Sequence, residues 1–74
     1  MSKLPADVSG RDPRRVLERV GFVFQRQKGS HMILRRQDPA ARVVIPDHAT
    51  LRIGTLRTIL QQAGLAVDEL IAML

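Results

Sequence analysis

The stretch Arg26-Gln27-Lys28-Gly29-Ser30-His31-Met32-Ile33-Leu34 reads as a tight turn that delivers a histidine onto the first position of a β-strand. Gly29 allows a positive φ, and Ser30 can hydrogen-bond its own backbone, so Lys28-Gly29-Ser30 carries turn chemistry. Phe22-Val23-Phe24-Gln25-Arg26 before the turn and Met32-Ile33-Leu34 after it are rich in β-branched and aromatic residues, as strands are. A hairpin follows, with His31 at its shoulder beside Lys28, Arg26 and Arg35.

On either side of this hairpin the pattern is equally local. The first strand is expected over about 22–27 and the second over 31–36. His31, Ile33 and Arg35 then share one face and Met32, Leu34 and Arg36 the other, and periodicity leaves open which face is buried. Gln37-Asp38-Pro39-Ala40-Ala41 reads as a turn punctuated by Asp-Pro, and Arg42-Val43-Val44-Ile45 as a third strand ended by Pro46. Short turns between three strands imply an antiparallel meander, because parallel neighbours need a long crossover.

Helices flank the meander. Residues 1–8 read as an extended lead-in. A helix follows, capped either by Ser9, with Asp12 three residues on, or by Asp12 itself, with Pro13 at the first helical position. Val16, Leu17 and Val20 fall on one face of it, and Gly21 ends it as a left-handed residue does. After the connection Pro46-Asp47-His48-Ala49-Thr50-Leu51, the residues Ile53, Leu56, Leu60 and Ala63 recur at helical spacing, with Ile59 flanking and Gly64 closing. Val67, Leu70, Ile71 and Leu74 suggest a short last helix with Asp68 and Glu69 in its first turn. The expected architecture is a small two-layer α+β domain over residues 1–74, ordered α-β-β-β-α-α, with a three-stranded antiparallel sheet. The double-stranded RNA-binding fold has this order of elements.

Composition narrows the function classes. The 74 residues hold no cysteine, which removes disulfides and thiolate metal sites. Two histidines without an acidic cluster speak against a metal centre, and no cofactor is expected. No apolar run approaches the roughly 20 residues that span a bilayer, and Met1-Ser2-Lys3-Leu4-Pro5 lacks the apolar core of a signal peptide, so a cytoplasmic address is expected. Twelve Lys and Arg against seven Asp and Glu give a net charge of +5, and ten of the twelve are Arg, whose planar fork suits phosphate. Such a balance favours a polyanion or an acidic protein as partner.

Chemistry has few places to reside. Phosphate loops, nucleophile elbows and His-Glu metal motifs do not occur. The candidates are His31, His48 and their basic neighbours. Histidine is the side chain that exchanges protons near neutrality, and RNA brings its own nucleophile in the 2′-hydroxyl. A ribonuclease therefore needs a base, an acid and cations for the phosphorane; His31 can be base or acid, and Lys28, Arg35 or turn N–H groups can stabilise charge. A second acid is not evident. The plainer reading of His31 is a half-exposed strand histidine; of His48, beside Asp47, a surface or capping residue; and of Ser30, a turn serine. Phe22 and Phe24 read as core, and two aromatics are a poor supply for stacking bases.

The run Leu4-Pro5…Ser9-Gly10…Leu17-Glu18-Arg19-Val20-Gly21-Phe22, then Gln27-Lys28-Gly29-Ser30-His31, then Val43-Val44-Ile45-Pro46, then Gly54-Thr55-Leu56-Arg57-Thr58-Ile59-Leu60-Gln61-Gln62-Ala63-Gly64-Leu65 resembles the HicA (YcfA-like) toxin family. The match runs through nearly the whole chain in order. The resemblance implies a fold like the double-stranded RNA-binding domain. It also implies metal-independent cleavage of mRNA that halts translation, with the histidine of Gly-Ser-His, here His31, as catalytic residue. Arg26, Lys28, Gly29, Ser30, Arg35 and Arg52 are the expected RNA contacts, with His48 secondary. A HicB-type antitoxin is the implied partner, covering the His31 face in a hetero-oligomer, while the free chain is expected as a monomer or weak dimer. The connection Ile45-Pro46-Asp47-His48-Ala49-Thr50-Leu51-Arg52-Ile53-Gly54 departs from the family. It is shorter, with Arg52 its only cation and Ile53 where proline is usual. Two other readings use the same basic surface: an RNA-binding module that does not cut, and an interaction protein that docks an acidic partner.

Overall fold

The computed structural model describes residues 4–74, so the first three residues of the expected lead-in lie outside it. The elements are α1 (Arg11–Arg19), β1 (Val23–Lys28), β2 (His31–Gln37), β3 (Ala40–Pro46), α2 (Ile53–Ala63) and α3 (Val67–Met73). The strands form one antiparallel sheet in the order β1-β2-β3. This is the α+β order read from the sequence. The second and third strands run longer than expected, because the connection between them closes on Asp38-Pro39 alone, with Gln37 paired to Ala40.

Local chemistry accounts for the helix boundaries. Neither reading of the first cap forms as drawn: the N-cap is Gly10, without a side-chain cap, and Ser9 and Asp12 instead bond to each other, the Ser9 N–H donating to the Asp12 carboxylate at 3.0 Å and the Asp12 N–H to the Ser9 carbonyl at 3.2 Å. Asp12 is thus helical despite Pro13, whose ring is buried. At the other end Gly21, with φ 99°, donates to Glu18, and Phe22 donates back to Leu17 at 3.0 Å. That pair of bonds is the Schellman stop. Gly64, with φ 72°, ends α2 in the same way. Glu69 reaches back to the Ala66 N–H at 2.9 Å and starts α3.

All three helices lie on one side of the sheet. Met32 and Leu34 from β2 and Val43 and Ile45 from β3 point into the core, where Val16 and Leu17 of α1, Leu56, Ile59 and Leu60 of α2 and Leu70 of α3 meet them. Phe22 is buried there and Phe24 packs against it, so both aromatics are core residues as expected. Arginine completes two edges of this layer. Arg36 stacks over the Phe22 ring at 4.5 Å and Arg14 over Phe24 at 4.1 Å.

Three expected core positions differ. Ile53 is exposed at the start of α2, because Leu51 from the preceding connection fills the core at that end. In α3 the buried stripe is Val67, Leu70 and Met73, while Ile71 and Leu74 face outward. The short helix docks along i, i+3 spacing, and the flexible methionine takes the third place.

Candidate functional site

With the helices on one side, the other face of the sheet is bare. It is built as three rungs of cross-strand neighbours. Lys28, His31 and Pro46 form the first; Arg26, Ile33 and Val44 the second; Val23, Arg35 and Arg42 the third. The histidine therefore shares its face with four cations.

A bulge in β1 produces this arrangement. Phe24 pairs with Leu34, but the next pair is Arg26 with Ile33, so Gln25 is an extra residue with no partner. Strict alternation from the inward Phe24 would send Gln25 and Gln27 to the bare face and Arg26 and Lys28 inward. The extra residue inverts the phase, as a one-residue slip does. Arg26 and Lys28 emerge beside His31, and Gln27 turns to the helix side. Nothing in the composition of β1 signals this bulge, which is why the sequence placed these cations near the turn but on no defined face.

The turn that presents His31 is held from three directions. Gly29 leads a two-residue hairpin with φ 59°, the type II′ pattern in which glycine takes the first central position. The Ser30 carbonyl accepts the Asp47 N–H at 2.6 Å, tying the turn to the exit of β3. The Asp47 carboxylate accepts from Gln27 Nε2 at 3.3 Å and pairs with Arg11 at 3.4 Å. Gly10 lies against the Pro46 carbonyl with no room for a Cβ, and donates its N–H to the His48 carbonyl at 2.9 Å. This close approach is possible only for glycine. Asp47 and Gly10 are site residues that sequence reading missed, since their roles depend on three distant segments meeting.

The predicted site residues thus divide. His31, Arg26, Lys28 and Arg35 come together on the bare face. Gly29 and Ser30 shape the turn beside them. His48 and Arg52 lie outside the paired strands, on the connection to α2, which leaves the sheet from the rung holding His31; both are exposed, and among the described residues His48 enters the hydrogen bonding through its carbonyl alone. Arg42 belongs with the first group and was missed. A turn drawn over 37–41 conceals that Asp38-Pro39 sets Arg42 directly opposite Arg35.

The cations of this face have no acidic partner among the described residues. Among the described residues the ion pairs are Arg11–Asp47, Arg14–Glu18 and Arg15–Asp12. None involves Arg26, Lys28, Arg35 or Arg42. The face itself carries no carboxylate, and the His31 imidazole has no side-chain hydrogen bond among the described residues. Nor do three metal-ligating side chains converge anywhere among them. An exposed imidazole with the Lys28 cation directly across the strand can exchange a proton with a phosphodiester while the cation holds the charge that develops. No helix among the described residues is long and apolar enough to cross a membrane.

Comparison with known proteins identifies the family. Residues 10–65 match the family described as HicA toxin of bacterial toxin-antitoxin. That range runs from the tightly packed Gly10 through the Gly-Ser-His turn to the Schellman stop of α2. No curated protein matches the chain.

Proposed function

Because the chain belongs to the HicA toxin family of bacterial toxin–antitoxin systems, we propose that it is the toxin's catalytic domain, an endoribonuclease that cuts mRNA through His31. Family membership implies an antitoxin partner; the proposal names it as a HicB-type protein that covers the bare sheet face. The observation that carries the ribonuclease reading is the placement of His31 on a face with Lys28, Arg26, Arg35 and Arg42 and no carboxylate.

In this mechanism the RNA 2′-hydroxyl attacks its own phosphorus. The O–H proton passes to a base, the P–O5′ bond breaks, and the 5′-oxygen takes a proton, leaving a 2′,3′-cyclic phosphate. His31 serves as the base or the acid. Lys28, its direct cross-strand neighbour, is placed to hold a non-bridging phosphate oxygen. The chemistry needs neither a cofactor nor a bound metal.

The bare imidazole also favours a second reading. A catalytic histidine is commonly oriented by a carboxylate or a carbonyl, and His31 has neither among the described residues. A module that binds RNA on this face without cutting it is the alternative. Incubation of labelled single-stranded RNA with the wild-type chain in EDTA, beside folded His31→Ala, separates the two. Cleavage to cyclic-phosphate ends by the wild type alone is expected. Intact RNA in both samples, with salt-sensitive binding, would select the module; equal cleavage by both would remove His31 from the reaction.

A further inference from the structure

The third rung of the bare face presents a problem that the chemistry at His31 does not solve. Arg35 and Arg42 are direct cross-strand partners, both exposed, and neither has an acidic neighbour among the described residues. Like charges opposite one another destabilise a sheet, and other residues would pair better there. A second observation concerns Ile33 on the rung between. It is only 7% exposed although no helix covers this face and it lies outside the core cluster. The same shallow depression is lined by Gln25, Arg26, Ile33, Arg35 and Arg42. The three arginines line this depression together with Ile33, so their apolar stems can shield it and three cations border one point of the face.

Distance separates that point from the histidine. His31 and Arg35 are four residues apart on one strand, about 13–14 Å at ~3.4 Å per residue. An anion held between Arg35 and Arg42 is therefore not the one attacked at His31. It is a second phosphate of the same chain, about four nucleotides away if bases stack at ~3.4 Å, fewer if the strand is extended.

We infer that the Arg26–Arg35–Arg42 cluster is a distal phosphate subsite, which holds single-stranded RNA along the bare sheet face on one side of the scissile bond. The inference rests on the ribonuclease reading for what lies at His31, but not for its test. Arginine forks suit phosphate oxygens, and the charge of the face is wholly complementary to a nucleic-acid backbone. Single-stranded RNA is the occupant that fits the dimensions. Three strands span about 10 Å and seven residues about 24 Å, whereas duplex RNA is read in this class of fold over about 16 base pairs. Val23, 60% exposed next to Arg35, offers an apolar contact for a base.

The test uses the chain with His31→Ala, so that the RNA stays whole, and a fluorescein-labelled ten-nucleotide oligouridylate read by anisotropy across a salt series. In that background Arg42→Gln is expected to weaken binding about threefold or more, and to lower the slope of log affinity against log salt by about 0.7, one phosphate contact on a single strand. Arg57→Gln, the same charge loss on an exposed position of α2, is the control for net charge, with circular dichroism confirming the fold of each. Arg42→Gln behaving like Arg57→Gln would overturn the subsite and leave the face to an acidic protein. Because cleavage is not the readout, failure of His31 to cut leaves a positive result standing. Loss of the Arg42 effect likewise leaves cleavage by the wild type untouched.

Discussion

The two faces of one sheet make the same strands do opposite things. On the helix side of β2, Met32 and Leu34 are sealed in the core; on the bare side, His31 and Arg35 are exposed and unpaired. Alternation puts these residues one step apart in the chain. Burial on one side supplies the rigidity against which the other side can hold cations close together, at a position where an isolated hairpin would not keep them. The lesson is that the sheet's packing and its like-charge repulsion act on opposite sides of the same strands, so that a substitution can change one and leave the other in place.

The largest expected effect lies on the buried side. Leu34→Ala leaves a cavity between the sheet and α1 and α2, and should cost about 2–5 kcal/mol in chemical unfolding. In a chain of 74 residues that is a large share of total stability, so the variant is expected to be partly unfolded at 37 °C. His31→Ala, three residues earlier, should change stability by less than about 0.5 kcal/mol while removing cleavage. A comparable loss of stability in both would mean that the bare face is structural after all. The smallest effect has the opposite sign. Arg42→Gln relieves the like-charge pair with Arg35 and should raise stability by about 0.2–1 kcal/mol in low salt, with the gain shrinking as salt screens the repulsion. A destabilised Arg42→Gln would show that the arginine stems over Ile33 matter more than their charges.

What could be read in advance follows the range of the interactions. Ser9 with Asp12, Gly21 after Val20 and Gly64 after Ala63 are signals confined to a few residues, and the helices begin and end where those signals stand. The alternation of β2 gave the correct division of residues between two faces, and the structure supplies which face is buried. Ile53, Ile71 and Leu74 fit a helical period yet are exposed, because periodicity identifies a stripe but not where the neighbouring layer ends. The bulge at Gln25 has no local signature, so the facing of Arg26 and Lys28 came only with the paired strands. Asp47 and Gly10 join segments more than 30 residues apart in the chain, through the Arg11–Asp47 pair and the Gly10–His48 hydrogen bond, and no pattern in one sequence reports such a meeting. His31 and its neighbours Arg26, Lys28 and Arg35 were legible because the turn is local; Arg42 and the face that gathers them were not.

The central claim is that RNA lies on the bare sheet face rather than along the helices. Backbone amide shifts of the folded His31→Ala chain, titrated with a single-stranded oligoribonucleotide, test it most directly. The expected changes concentrate at Arg26, Lys28, Ile33, Arg35, Arg42 and Val44 and leave α1 and α2 unmoved. Changes confined to the exposed surfaces of α1 and α2, with the sheet rungs unaffected, would contradict it.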